Sequence, residues 1–111
     1  MDDDLAMRPY HYWKFRGALS AICAGEAPLR ERLCAAMSSC LTVKSDELPI
    51  AVRNIFLELE AQTTWKQDGD EREGTLANTF NAMSDADAKK VAGLFVDLFE
   101  ATLGVAPPVE I

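Results

Sequence analysis

Three cysteines and a single histidine are the residues of this chain best suited to metal binding or nucleophilic chemistry: Cys23, Cys34, Cys40 and His11. Metal sites of such residues usually contain ligand pairs at short spacing, and neither Cys-x-x-Cys nor His-x-x-x-His occurs. If residues 28–41 form a helix, Cys34 and Cys40 lie about 9 Å apart along its axis, too far for a disulfide. They also point about 120° apart, too divergent for one metal ion. We predict no metal and three buried thiols acting as small apolar side chains, with a site joining all four residues as the alternative.

Nucleophilic catalysis by serine or cysteine requires a histidine base, and His11 is the only histidine. It stands beside Lys14 on the expected polar flank of the first helix, where a solvated histidine is the simpler interpretation. The chain has no Gly-x-Ser-x-Gly elbow, no phosphate-binding glycine loop and no dinucleotide motif. We therefore predict no catalytic residue and no cofactor, and we expect that the chain is not an enzyme.

The charged residues are numerous, but their spacing does not form a site. Glu58 and Glu60 lie about 160° apart around a helix, so they cannot face each other. The segment DGD at 68–70 resembles the start of a calcium loop, but Arg72 occupies the next ligand position and no glutamate closes the frame. We expect solvated charged faces here and in the basic cluster of Arg30, Arg32 and Lys44.

The composition is typical of one compact, soluble domain. The chain has 111 residues, of which 49% are hydrophobic and 26% are charged. Its 18 acidic and 11 basic residues give a net charge of −7. Most of the surface would therefore repel nucleic-acid phosphates and an anionic membrane. We predict neither a nucleic-acid partner nor membrane association.

The N-terminus lacks the pattern of a secretory signal, which begins with positive charge and continues with an apolar run. The chain instead begins MDDD, and its most apolar segment is interrupted by Asp97 and Glu100 before it reaches the length of a membrane helix. Its odd number of cysteines, without the dense spacing of a disulfide scaffold, fits a reducing compartment. We expect a cytoplasmic protein.

Apolar residues recur at helical spacing through most of the chain. This periodicity predicts helices over residues 9–24, over 28–41, from Ser45 onward, over a short segment around 76–83, and from Ser84 to Gly104. The start of the last helix resembles a capping box. Charged residues and glycine dominate positions 66–74, which predicts an acidic loop.

Each predicted helix has one apolar face that we assign to a shared core. These faces consist of Tyr12, Phe15, Leu19, Ile22 and Cys23 in the first helix; Leu29, Leu33, Ala36, Met37 and Cys40 in the second; Leu48, Val52, Ile55, Phe56 and Leu59 in the third; Leu76, Phe80 and Met83 in the fourth; and Val91, Leu94, Phe95, Leu98 and Thr102 in the fifth. Four more apolar residues widen the arc of the last helix to roughly 200°, which predicts a central position. They are Ala92, Val96, Phe99 and Leu103.

No segment alternates apolar and polar residues over the length of a strand, so we predict an all-α fold. The simplest arrangement is a compact, mostly antiparallel helical bundle of four main helices plus one short helix. The third helix is expected to begin near Ser45, with Pro49 tolerated in its first turn. We divide the chain into a flexible acidic N-terminus at 1–8, one helical domain at 9–104 with the acidic loop at 66–74, and a proline-containing tail at 105–111.

The segment RPYHYWKF, residues 8–15, concentrates four aromatic side chains in the first helix. Two of these rings belong to the predicted core face. Tyr10 and Trp13 point with Gly17 toward a different side, where small residues would let another helix approach closely. That other helix is either an internal neighbour or part of a binding partner.

The third helix carries a weaker second apolar stripe of Ile50, Leu57 and Ala61, interrupted by Asn54. Two helices with two apolar faces each are more than a small bundle needs, and uncovered apolar patches usually mark an interface. The alternative is that the short helix and the C-terminal tail cover both stripes. The candidate partner surface is therefore formed by Tyr10, Trp13, Gly17, Ile50 and Leu57.

These patterns predict a small interaction or regulatory protein, such as an adaptor or an inhibitor, that acts through an apolar helix face. Its partner is another protein or a second copy of the chain, since symmetric homodimers are the commonest oligomers. The alternative is a ligand-binding or sensory helical domain, in which Tyr10, Trp13 and Trp65 line a pocket between helices.

Overall fold

The computed structural model describes residues 7–66 and 72–105, and these two ranges contain five α-helices and no strand. The helices are α1 (Pro9–Ala24), α2 (Leu29–Ser39), α3 (Ile50–Thr63), α4 (Arg72–Ala82) and α5 (Asp85–Gly104), with a 3₁₀ turn at Ser45–Glu47 between α2 and α3. The prediction of an all-α fold is confirmed. Helix α4 begins within the last three positions of the predicted acidic loop, and residues 67–71 of that loop lie outside the described residues.

Helix α1 begins and ends where the sequence predicts. Pro9 occupies its first position, where a missing backbone N–H leaves no hydrogen bond unmade. The helix ends before Gly25, whose backbone is extended rather than left-handed. A Cβ atom at Gly25 would lie 2.8 Å from the carbonyl oxygen of Ala21 and 2.9 Å from Cδ of Arg32. Glycine is therefore required here because the backbone and the Arg32 side chain approach closely.

The start of α3 differs from the prediction. Ser45 begins only a 3₁₀ turn, and the α-helix starts five residues later at Ile50, after Pro49 as its N-cap. Because a proline disfavours helical backbone in the residue before it, Leu48 is extended and separates the two elements. The Arg53 guanidinium donates to the carbonyl oxygen of Leu48 from both Nε and Nη2, at 3.3 and 3.0 Å, which holds this junction.

Helix α5 has the predicted N-terminal cap. The Ser84 hydroxyl accepts a hydrogen bond from the backbone N–H of Asp87 at 3.1 Å. Asp85 and Asp87 lie in the first turn, where negative charge is favoured by the helix dipole. The last helical residue is Gly104.

The core lies between α5 and the helices packed around it. Helix α5 packs against α1, α2 and α3, and α2 packs against α1 and α4. The rings of Phe15 and Phe56 bring α1 and α3 together, with centroids 5.6 Å apart. The predicted faces of α2 to α5 are buried or half-buried throughout, which confirms those assignments.

The buried face of α1 is rotated from the predicted one. His11, Phe15 and Ala18 are buried, whereas Tyr12, Leu19 and Ile22 are half-buried and Cys23 is exposed. The buried residues follow Met7 at spacings of four, four and three, which is one helical face. Met7 itself is buried in the core, although it belongs to the segment predicted to be flexible.

Of the basic cluster predicted to be solvated, Lys44 is exposed, whereas Arg30 and Arg32 are half-buried and hydrogen-bonded. The Arg32 guanidinium donates from Nε to the carbonyl oxygen of Ala27 and from Nη1 to that of Ile22, across the turn between α1 and α2. Arg30 Nη1 donates to the carbonyl oxygen of Met83 at 2.8 Å, in the turn between α4 and α5. Two of the accepting carbonyl groups, those of Ile22 and Met83, lie at C-terminal helix ends, where carbonyl groups lack a partner within the helix.

Candidate interaction surface

The outer face of α1 carries the most exposed aromatic side chains of the predicted site. Tyr10 is 52% exposed and Trp13 is 60% exposed. Gly17, one turn further, lies in the open: a Cβ atom there would meet nothing within 4 Å. Among the described helices, no neighbour covers these residues of α1.

Two cations lie over the exposed rings. Lys14 Nζ is 5.6 Å from the centroid of the Tyr10 ring, and the guanidinium carbon of Arg16 is 5.4 Å from that of Trp13. Both distances are within the range of cation–π attraction. Within the described ranges, neither cation forms an ion pair, so the face is aromatic and positively charged.

The aromatic face of α1 continues onto α5. The Tyr12 ring meets Trp13 edge-on at 5.2 Å between centroids, and it lies 6.4 Å from the Phe99 ring. Next to this contact, Arg16, Cys23 and Phe99 line an open groove of about 290 Å³ between the two helices. On the side of α1 away from α5, Tyr10 is held by a hydrogen bond, with its hydroxyl 2.7 Å from the Thr42 Oγ1 atom.

Helix α5 contributes exposed apolar residues from the wide arc that predicted a central position for this helix. Val96 is 52% exposed and Leu103 is 55% exposed, while Phe99 between them is half-buried. The three residues follow spacings of three and four, so they share one face. The 200° apolar arc of α5 is thus only partly covered by α1, α2 and α3. The width of the arc was the signal that could have identified this surface.

The predicted stripe on α3 is a separate exposed surface. Ile50 and Leu57 are each 44% exposed, and Asn54 and Ala61 are exposed as well. Helix α4 packs against α2 and α3 without covering them. The five predicted site residues thus lie on two helices, α1 and α3. The α1 residues are joined to α5 by aromatic contacts, because the Tyr12 ring meets both Trp13 and Phe99.

His11 is buried, contrary to the prediction of a solvated side chain. It is 2% exposed because it lies one turn from both Met7 and Phe15 on the inner face of α1. Its Nε2 atom is 3.6 Å from Glu47 Oε1, and its buried Nδ1 atom has no hydrogen-bond partner among the described residues. Burial lowers the pKa of His11; the Glu47 carboxylate opposes this shift, and the Arg8 guanidinium adds to it. No nucleophile contact of His11 is seen in the described residues.

The three cysteines are free and lie in different environments, so the prediction of three buried thiols holds for Cys40 but fails for Cys23. Burial raises the pKa of the Cys40 thiol to about 11, against an opposing hydrogen bond with Ser39. The half-buried Cys34 thiol also has a raised pKa, mainly because of burial. Among the described residues, no group of three or more His, Cys, Asp or Glu side chains could hold a metal ion.

The aromatic residues of the alternative ligand pocket do not enclose a pocket. Tyr10, Trp13 and Trp65 are each more than half exposed, so they lie on the outside of the bundle rather than between helices. A second open groove of about 320 Å³ between α3 and α5 is lined mainly by polar residues, including Glu58 and Lys90. The calcium-like segment at 68–70 lies outside the described residues.

Comparison of the chain with protein-family models, curated proteins and solved structures gave no match. Among the helices of the described ranges, none is long and apolar enough to span a membrane.

Proposed function

We propose that this protein is a small cytoplasmic interaction module that binds another protein, or a second copy of itself, through the outer face of α1 and its continuation on α5. The observation that carries this proposal is the 60% exposure of Trp13 within a continuous aromatic surface. Tryptophan is enriched among the residues that dominate binding energy in interfaces.

The surface has the composition of an interface centre. Trp13, Tyr12 and Phe99 form its aromatic part, and Val96 and Leu103 extend it along α5. Interface centres combine aromatic residues and arginine, and the Arg16 guanidinium lies over Trp13. A partner that covers these rings would bury apolar area that now contacts water, which favours association.

Localisation in the cytoplasm is part of this proposal. Its support is that all three cysteines are free. An exposed thiol such as Cys23 persists most readily in a reducing compartment.

The proposal is tested with a matched pair of variants, Trp13→Glu and Trp65→Glu. Both replace a tryptophan that is more than half exposed with a carboxylate, but Trp65 follows α3, beside Lys66, whose backbone N–H donates to the Thr79 hydroxyl of α4. Light scattering at several concentrations measures self-association, and quantitative affinity capture measures binding of other proteins. We expect Trp13→Glu to abolish the interaction and Trp65→Glu to retain it, with unchanged helical circular dichroism in both.

A single-chain mass at every concentration, with captured proteins that do not depend on Trp13, would overturn the proposed function.

A further inference from the structure

The exposed face of α1 has the spacing of a helix-pairing surface. Tyr10, Trp13, Gly17, Ser20 and Ala24 are separated by three, four, three and four residues, and all five are exposed. These intervals match positions a and d of a heptad, the residues that meet a partner in paired helices. None of the five is charged. The spacing places all five residues in one exposed strip along α1, on which another helix can pack.

The shape of this face also fits a helix. Its first half is a ridge made by Tyr10 and Trp13, and its second half is low because it consists of glycine, serine and alanine. Space above Gly17 is open, since an added Cβ atom would contact nothing there. A bulky apolar side chain of an approaching helix can occupy that space while its neighbours pack against Trp13.

The flanks of the face are positively charged. In the same heptad, Lys14 takes position e and Arg16 takes position g, the positions whose charges select the partner helix. They lie on opposite sides: the Lys14 charge acts on Cys40 at the end of α2, and Arg16 lines the groove beside α5. From Met7 to Gly25 the chain has no acidic residue, although its net charge is −7.

We propose that α1 binds an acidic amphipathic helix of a partner protein, with large apolar residues along its centre and Asp or Glu at its flanking positions. This inference rests on the proposed function and specifies its partner. The carboxylates of such a helix would pair with Lys14 and Arg16, which form no ion pair with another described residue. A second copy of α1 is disfavoured as the occupant, because pairing would bring two sets of these cations together.

The test uses three stapled helical peptides that share one leucine pattern and carry only Glu, only Gln or only Lys at the flanking positions. The protein is the full chain with Trp65→Phe, in which Trp13 is the sole tryptophan and reports binding by fluorescence. Arg16→Glu and Lys14→Glu reverse the flanking charges. Lys90→Glu is the matched control, because it changes the net charge equally but lies in the groove between α3 and α5.

We expect the Glu peptide to bind at least about tenfold more tightly than the Gln peptide, and the Lys peptide more weakly than both. Arg16→Glu and Lys14→Glu should each remove most of this preference, whereas Lys90→Glu should retain it. Added salt should reduce binding of the Glu peptide and leave that of the Gln peptide nearly unchanged.

Equal binding of the Glu and Gln peptides would overturn the acidic partner while the proposed function stands. Absence of peptide binding together with Trp13-dependent self-association would replace the acidic helix by a second copy of the chain. Absence of peptide binding, of self-association and of any Trp13-dependent capture would overturn both proposals.

Discussion

The Nε2 atom of His11 lies 3.6 Å from Oε1 of Glu47, which joins the first turn of α1 to the 3₁₀ turn before α3. The same carboxylate lies 3.5 Å from Nη1 of Arg8 through its other oxygen. Glu47 thus faces two basic side chains that enter from the start of α1. One of them, His11, is buried and has an unpartnered Nδ1 atom.

Acidification should destabilise the fold through His11. Its pKa in the folded state lies below the ordinary value of 6.5, chiefly because burial disfavours the charged imidazolium. The unfolded state therefore binds a proton first as the pH falls. The contribution of His11 to stability is fully present above pH 6.5 and is lost as the pH falls from there through the folded-state pKa. Urea unfolding across this window measures the loss.

NMR gives a direct check, since His11 is the only histidine and its ring signals need no assignment by mutation. Glu47→Gln removes the carboxylate that favours the charged ring, so it should lower the pKa of His11 further. A folded-state pKa at or above 6.5 would contradict this account of the site.

Alanine substitution of two leucines of α5 should distinguish its buried face from its exposed face through the change in the free energy of unfolding. Leu98 is 1% exposed, so Leu98→Ala should lower the free energy of unfolding by about 2 to 5 kcal/mol. Leu103 is 55% exposed, and Leu103→Ala should change it by no more than about 0.5 kcal/mol. Chemical denaturation measures both. Similar losses for the two variants would mean that Leu103 is covered in the folded protein.

Alanine substitutions at two glycines should have opposite signs. Gly17→Ala places a methyl group in open space within a helix, so it should stabilise the protein by about 0.5 to 1 kcal/mol. Gly25→Ala forces Cβ against the Ala21 carbonyl oxygen, and it should destabilise the protein by about 1 to 3 kcal/mol. Thermal unfolding of both variants would show the contrast. A stabilising effect of Gly25→Ala would indicate that the turn relaxes freely.

The three thiols should react at very different rates. Cys23 is exposed, whereas burial raises the pKa of Cys34 and Cys40 and reduces the fraction of reactive thiolate. Brief treatment with iodoacetamide at neutral pH should modify Cys23 first, and Cys40 should react only after unfolding. Peptide mass spectrometry locates the adducts, and Cys23→Ser serves as the control. Early modification of Cys40 would show that the end of α2 opens readily.

Local sequence signals predict much of this fold. The Ser84 cap depends on a residue three positions later, and the end of α1 at Gly25 depends on the Ala21 carbonyl group four positions earlier. Both features are therefore visible in the local sequence. The prediction of the buried face of α2 is correct for a similar reason. Helix α2 has one apolar face, and Leu33 and Met37 both lie on it. The position of Trp13 outside the buried face of α1 is visible in the sequence as well, whereas its exposure also depends on whether another helix covers it.

The predictions fail where contacts between residues far apart in the sequence determine which side chains are buried. His11 and Tyr12 are both compatible with an inner face of α1, and the arrangement of Met7 and Glu47 selects His11. The burial of Val96 depends on whether another helix reaches that side of α5, which its own sequence does not specify. A turn closed by an arginine side chain is equally hard to predict, because the accepting carbonyl oxygen can belong to any helix end.

Arginine side chains close two junctions between elements of this fold. Arg32 spans the turn between α1 and α2 with two donor atoms. Arg53 holds the start of α3 through two donor atoms as well, both directed at the Leu48 carbonyl oxygen. A lysine supplies one compact ammonium and cannot reproduce the planar fork. Reorientation of α1 relative to α2 therefore requires release of the Arg32 hydrogen bond to the carbonyl oxygen of Ile22.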